Sequence, residues 1–327
     1  MKGDVDMLYP DIYYFPQWSE LNSVLDGGTA EHYEFQCDYG QIYYPYIKRK
    51  ISTKVNNQTF YDTVTPYGFN GPVVIAADDK EKLLEEFEKN FNSYCADKHI
   101  VAEYVRFSPW LKNHEDFEKY YSLKHNNQTL FIDLKKDFFT EEYSHSCRNN
   151  IRKAAKNSIT VKFDYEGDTL KEFIKLYDKM AVKNSVSSYY SFDEMYFKNT
   201  MDKMKGNIFI IYAVFEGIII SSAMCLHHDK YLHYHLMGND YEYITLGANS
   251  LLCHEAAKWG QEHGMSEFHL GGAFSESLLR FKKNFTRTGF LDFYVGKRIR
   301  DRCSYNSLID LLGRNSSGYF PEYRNNQ

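Results

Sequence analysis

The residues of this 327-residue chain best suited to chemistry lie between 230 and 285. Lys282 belongs to a short basic run, SESLLRFKKNF (275–285), four positions after Leu278. On a helix that spacing lets its stem lie along an apolar stripe while the ammonium reaches past it. Transfer of an acyl group to an amine needs hydrogen-bond donors or a cation of this kind, because an oxyanion develops in the tetrahedral state. It also needs an acceptor for the amine proton and groups that hold the two reactants together. Lys282 reads either as that cation or as an exposed helix lysine, and Lys283 faces elsewhere. His233 and His235 alternate along one face of a strand pattern that also carries Tyr231. Two imidazoles at i, i+2 can ligate a metal, but no third ligand stands at a suitable spacing, so no metal site is expected. Sheet packing is the plain reading, and His235 is a candidate to take up the amine proton. Gly247 and Asn249 open a helical run at 248–264, where Asn249 either caps the helix or meets a donor phosphate.

Other candidates lie outside that stretch. TPYGFNGPV (65–73) is dense in turn formers, and Gly68 and Gly71 let the backbone turn or come close to a ligand. Tyr67 in the same turn is a candidate lining residue for an acceptor pocket, with simple packing as its alternative. Arg106 closes the strand pattern at 99–107 and could hold a phosphate or carboxylate, or pair with a surface acid. Tyr189 and Tyr190 sit in a Ser- and Tyr-rich loop at 185–192. Arg148, Arg152, Lys153 and Lys156 fall three to five apart, which makes either a solvated helix face or a phosphate- or RNA-facing patch.

The elements that must position these residues follow in order. An aromatic strand is expected at 10–15 and a short helix at 17–25. Strands follow at 31–39 and 41–51. A helix at 80–94 carries Leu83, Leu84, Phe87 and Phe91 at helical spacing. Strands come at 99–107, 120–123 and 129–134. The second half begins with a strand at 159–165 and helices at 169–184 and 192–204. A hairpin through 208–226 then turns at Glu216-Gly217. Strand, helix, strand, short helix and strand complete it at 231–239, 248–264, 265–272, 275–285 and 290–296. The end, NSSGYFPEYRNNQ (315–327), is expected to be loosely ordered.

Composition narrows the class. The 44 acidic and 39 basic residues give a net charge of −5, which argues against a broad DNA-coating surface. Six scattered cysteines with no C-x-x-C pair read as reduced thiols. The apolar stretch 208–226 is broken by Glu216-Gly217, so strands are expected there and no transmembrane segment. A soluble, cytoplasmic protein is the expectation. The 29 Tyr and 24 Phe predict aromatic interiors.

Taken in order, TPYGFNGPV, the RNNIRKAAKN junction (148–157), YHLMGN (234–239), the Asn249 helix ending in WGQEHG, HLGG (269–272) and LLRFKKNF (278–285) resemble FemABX-type proteins. The resemblance covers most of the chain. It implies an α/β fold, with mixed α+β sheets, of two tandem GNAT-like domains: 1–146, completed by 297–327, and 147–296. It implies an N-acyltransferase, with Lys282 matching the family's F-K motif and the 185–192 loop bordering a substrate cleft between the domains. The implied acceptor is an amine of a peptidoglycan or sugar-nucleotide precursor, or another small amine. No cofactor is expected to be tightly bound, and the donor is either aminoacyl-tRNA, with charged tRNA as a partner, or acyl-CoA. An acyl-CoA-dependent N-acetyltransferase acting on an amino sugar of a surface polysaccharide is the alternative. The coiled-coil arm of some members is missing. The CoA-binding loop of ordinary GNAT enzymes is reduced to LGAN (246–249), which also motivates a third reading as a non-catalytic binding module.

Overall fold

The computed structural model describes residues 9–184, 192–273, 275–315 and 318–324, so Tyr189 and Tyr190 lie outside the described residues. The chain divides into two units, one of Met1–Asn127 with Asp292–Gln327 and the other of Gln128–Leu291.

The first unit holds α1 (Pro16–Ser23), β1 (Thr29–Cys37), β2 (Gly40–Lys50), β3 (Tyr61–Val64), β4 (Val73–Ala77), α2 (Lys80–Asp97), β5 (Ile100–Arg106) and α3 (Asn113–Phe117). Most of β12 (Phe290–Ile299) and all of α10 (Arg302–Leu312) return to it. Its strands run β1-β2-β3-β5-β12, with β4 on β2, and β3 and β5 pair in parallel. The apolar stripe of α2 packs on Tyr44, Tyr46, Phe107 and Phe117. A tyrosine-rich interior must satisfy its hydroxyls. Tyr44 and Tyr121 both donate to the buried Glu103 carboxylate, at 3.0 and 3.2 Å, and Arg300 binds the other oxygen of that group.

Three expectations fail here for local reasons. Residues 12–14 form a single 3-10 turn and not a strand, because Asp11 Oδ1 accepts from the Tyr13 amide at 3.0 Å. The strand patterns at 120–123 and 129–134 are one strand, β6 (Ser122–Asp133), whose exposed polar middle carries no apolar signal. The tail is anchored at its described residues. Tyr323 and Arg324 reach Asp62 Oδ2 at 3.1 and 2.6 Å, and Arg49 holds Oδ1 at 2.8 Å.

The second unit takes β6 from Gln128, then α4 (Phe138–Glu141), α5 (His145–Lys156), β7 (Thr160–Asp164), α6 (Leu170–Lys183), α7 (Glu194–Lys203), β8 (Ile208–Phe215), β9 (Ile218–His228), β10 (Tyr231–Asn239), α8 (Ala248–Glu262), β11 (Glu267–Gly271) and α9 (Glu276–Lys283). The order is β6-β11-β10-β9-β8-β7, and among the described residues only β10 and β11 pair in parallel. Glu216 and Gly217 turn the β8–β9 hairpin with φ of 49° and 80°, the signs a two-residue primed turn requires. Leu130, Ile132, Phe138 and Tyr143 pack into this unit's core with α8.

One irregularity sets the site. Tyr234 pairs with Cys225 and Leu236 with Met224, so His235 is an extra residue in β10. Leu232 and Gly238 are six apart and would share a face of a regular strand. Instead Leu232 packs on Gly260 of α8, whereas Gly238 lies under the backbone of α6 at Leu176-Tyr177. The bulge exchanges the faces of β10 between these two helices. A Cβ at Gly238 would fall 2.3 Å from the Leu176 carbonyl carbon, and backbone there cannot yield as a side-chain tip can. Gly238→Ala is therefore expected to destabilise the protein by about 1–3 kcal/mol, read as a lower denaturant midpoint at unchanged m-value.

Candidate active site

β10 and β11 pair at three rungs, Tyr231/Glu267, Leu232/Phe268 and His233/His269. Beyond the third rung no backbone hydrogen bond joins them among the described residues, although β10 runs on to Asn239 and β11 to Gly271. Each strand turns from the other at an irregularity of its own. In β10 this is the bulge at His235, and in β11 it is a register shift against β6 between His269 and Gly271. The result is a fork across which the ladder does not continue among the described residues.

Lys282 closes the mouth of this fork. Ser275 Oγ caps α9 by accepting from the Leu278 amide at 3.3 Å, and one turn later the Lys282 ammonium donates to the Gly272 carbonyl. The ammonium also lies near the buried thiol of Cys253 on α8. Burial pulls Lys282 down to about 8, opposed only by Cys253. A lysine with that value still carries its proton at pH 7, and shedding solvent strengthens its field.

Two contacts fix the short helix that carries it. Ser144, the N-cap of α5, donates its hydroxyl to Asn284 Oδ1 at 2.7 Å and its amide to Asn284 O at 2.8 Å. Glu142 binds the turn after α9, accepting from the Arg287 amide at 2.8 Å and from the Thr288 hydroxyl at 2.8 Å, with Lys136 Nζ at 2.9 Å. Burial pushes the Glu142 carboxyl up, and these bonds together outweigh it and hold it at about 2.

At the far side, Gly247 is the N-cap of α8 with φ of 81°. A Cβ there would stand 2.8 Å from Asn150 O, so the helix start can lie this close to α5 only with glycine. No side chain caps α8, so Asn249 is not its cap; it sits half-buried in the first turn, where backbone amides point outward.

His235 lies at the fork, but burial and the neighbouring His233 push it down to about 3, which leaves it a neutral and weakly basic imidazole. The sequence passed over His269, which stacks on His233 with centroids 5.3 Å apart and planes at 19°. Its Nε2 is 3.1 Å from Glu267 Oε2. The signal available was the E-x-H alternation of β11 set against the H-x-H of β10.

The remaining candidates are distributed differently. Tyr67, Gly68, Gly71 and Arg106 come together in the first unit. There Arg106 Nη1 donates to Pro66 O at 3.3 Å, its amide to Thr65 Oγ1 at 3.0 Å, and its guanidinium lies 3.8 Å from Asp26. The Tyr67 ring stacks on Trp18 at 6.5 Å, and Gly68 and Gly71 pack against Tyr13 and Val105. Of the basic run, Arg148 donates to the carbonyls of Thr140 and Tyr143, Arg152 covers the Phe139 ring at 5.6 Å, and Lys153 bonds Thr245 O at 2.8 Å. Among the described residues no group of three or more His, Cys, Asp or Glu gathers to hold a metal, and no helix is long and apolar enough to cross a membrane.

Comparison with known proteins places this geometry. Residues 142–283, which contain both arms of the fork and Lys282, match the family model of the acetyltransferase (GNAT) domain. A crystal structure of FemX superposes with a TM-score of 0.68 over 92% of this chain and 96% of that one, at 16% identity. Residues 142–283 are an acyltransferase domain of the GNAT kind, and the chain has a FemX-like fold. L-PGS from Bacillus licheniformis is also similar in fold, with a TM-score of 0.54, 16% identity and coverage of 92% and 98%. So is the C-terminal domain of a protein described as a candidate lysylphosphatidylglycerol synthetase from Agrobacterium fabrum, with a TM-score of 0.56, 14% identity and coverage of 88% and 92%. No curated protein matches the chain in sequence.

The Glu142 clamp can be tested without a substrate. A carboxylate held below its ordinary value stabilises the fold above that value and loses its contribution as pH falls through the lowered one. Wild-type stability should therefore fall between pH of about 4.5 and about 2. The contribution at neutral pH is roughly 3 kcal/mol at most. Glu142→Gln should be less stable at pH 7 and flatter across that acid range in a thermal unfolding series.

Proposed function

We propose that this acyltransferase moves an acyl or aminoacyl group onto an amine, with the donor carbonyl seated in the fork between β10 and β11 and its oxygen facing Lys282. The observation that carries this reading is the Lys282 ammonium, desolvated and bonded to Gly272 O at the point where the ladder stops. Backbone groups along the fork, beyond the end of the ladder, would hold the donor as an added strand is held, which fixes the carbonyl beside the cation. As the amine attacks, charge moves onto the carbonyl oxygen and the ammonium stabilises it without having to reorganise. The open first turn of α8 behind Gly247, with Asn249 on it, would take the anionic end of the donor.

Acyl-CoA is the donor best supported, because the fork lies within the stretch that matches an acetyltransferase domain and because Arg148, Arg152 and Lys153 are engaged by their own chain. Aminoacyl-tRNA is the second reading, favoured by the likeness to FemX over 92% of the chain. For the acceptor we propose an amine of a peptidoglycan precursor or an amino sugar of a surface polysaccharide. Incubation with acetyl-CoA or charged tRNA and a panel of such amines tests the assignment. No amide product from either donor class would sink it, and a thermal shift with CoA but not with tRNA would choose the donor.

Lys282→Ala should lower kcat by about 10²–10³-fold with donor affinity little changed. Because the cation must stay protonated, the wild-type rate should fall as pH rises through about 8. Lys282→Arg, charged at every accessible pH, should lose that alkaline fall. An alkaline limb that survives in Lys282→Arg would remove the lysine from the role.

A further inference from the structure

The reading above leaves the amine proton without an acceptor. His235 sits at the fork but is too weak a base. The rung at which β10 and β11 part carries a better one. His269 is 2% exposed, stacked on His233 at 5.3 Å, and Glu267 Oε2 lies 3.1 Å from its Nε2. A carboxylate at that distance orients an imidazole and stabilises it once it is protonated. Burial raises Glu267, but His269, Lys135 and Lys230 together hold it below its ordinary value, so the carboxylate is ionised when it is needed.

Position makes the pair more than a packed core. Leu232 and Phe268 share a core with α8, so Tyr231, His233, Glu267 and His269 face the other way. The Lys282 ammonium lies on the α8 side, near Cys253. A carbonyl held in the fork therefore has the cation on one side and the imidazole pair on the other. The irregularities that open the fork begin one residue beyond His233, after Tyr234, and directly after His269. Bulges recur beside active sites because they re-aim neighbouring side chains.

We propose that His269, held between Glu267 and His233, is the proton acceptor of the transfer reaction assigned above. The proposal rests on that assignment. The amine enters uncharged, and its nitrogen bonds the carbonyl carbon. The bond from that carbon to the leaving sulfur or oxygen breaks, and its electron pair stays with the leaving atom. The one proton that the new amide must shed passes to Nδ1 of His269, since Nε2 faces Glu267, and from there it is available to the leaving atom. Among the described residues, the titratable and charged groups that face His269 include Glu267 on its own strand, His233 and Tyr231 on β10, and Lys230 before it. His228 of β9 stands across from Tyr231, and His235 lies beyond His233. From β6 come the apolar Phe131 ring at 5.7 Å and Asp133 opposite Glu267, with Lys135 after them.

The test is the pH dependence of kcat/KM for amide formation in the full-length protein with acetyl-CoA and an accepted amine. Wild-type activity should fall on the acid side as His269 becomes protonated. His269→Gln should lose about 10²–10⁴-fold near neutral pH, approach the wild type at low pH because its acid limb is gone, and bind CoA as before. Glu267→Gln, which leaves the imidazole and its stack in place, should keep the limb but move it to lower pH, since the anion that favours the imidazolium is gone. A merely structural role predicts equal loss at every pH and no movement of the limb in either variant, and that result would overturn the proposal. An acid limb unchanged in His269→Gln overturns it too, while leaving the acyl-transfer assignment intact. A wild-type protein that forms no amide with any acyl donor overturns both.

Discussion

The structure depends on a ladder that stops. Parallel pairing between β10 and β11 lasts three rungs and ends at His233/His269, with both strands continuing. A sheet interior ordinarily cannot leave backbone amides and carbonyls unmatched, because each buried unmatched group costs as much as a lost hydrogen bond. Two features make the opening tolerable. The bulges at His235 and before Gly271 turn the free edges apart, and α9 folds back so that Lys282 binds the Gly272 carbonyl. Glu142 and Ser144 then fix that helix from behind.

The first unit shows what happens when the same opening is filled. It too has an antiparallel set of strands, a helix, and one parallel pair, β3 with β5. Past Val64/Tyr104 that pair also parts, but the chain closes the gap with its own loop. The Thr65 amide bonds Tyr104 O, Arg106 grips Thr65 and Pro66, and the Asn70 amide bonds Arg106 O at 2.9 Å before bridging to Phe107. Asn113 then ties Asn70 O and Pro72 O at 2.8 Å each. The glycine-rich turn is thus internal to its own unit. Among the described residues no such loop bridges β10 and β11 beyond His233/His269.

Much of this was legible in the sequence, and what was missed has a common cause. The long helices, the Glu216-Gly217 hairpin and β10 itself followed from apolar period and turn residues, which are local signals. Lys282 followed from helical spacing and from resemblance. The bulges could not be read, because alternation along a strand does not reveal a single inserted residue when both faces are buried, as they are at His233 and Tyr234. The His269 pair was missed because its partner in β10 lies far away in sequence, and parallel pairing across a helix leaves no local trace. Arg148 looked like part of a charged face, but its donors go to helix-end carbonyls that only the fold brings near.

Lys282 also shows why the site is built of short, heavily braced pieces. Desolvating an ammonium works against folding, and the lowering of Lys282 to about 8 records that cost. An eight-residue helix cannot hold a side chain in such a place by its own stability. The work is done by buried polar bonds to α5 and to the turn at Arg287 and Thr288. Such bonds are directional, so they set the position of the ammonium and not only its burial. An apolar clamp of equal strength would fix the helix less exactingly, and an oxyanion site misplaced by an ångström loses much of its effect. The polar bracing behind α9 and the parted ladder in front of it are thus two parts of one arrangement around the lysine.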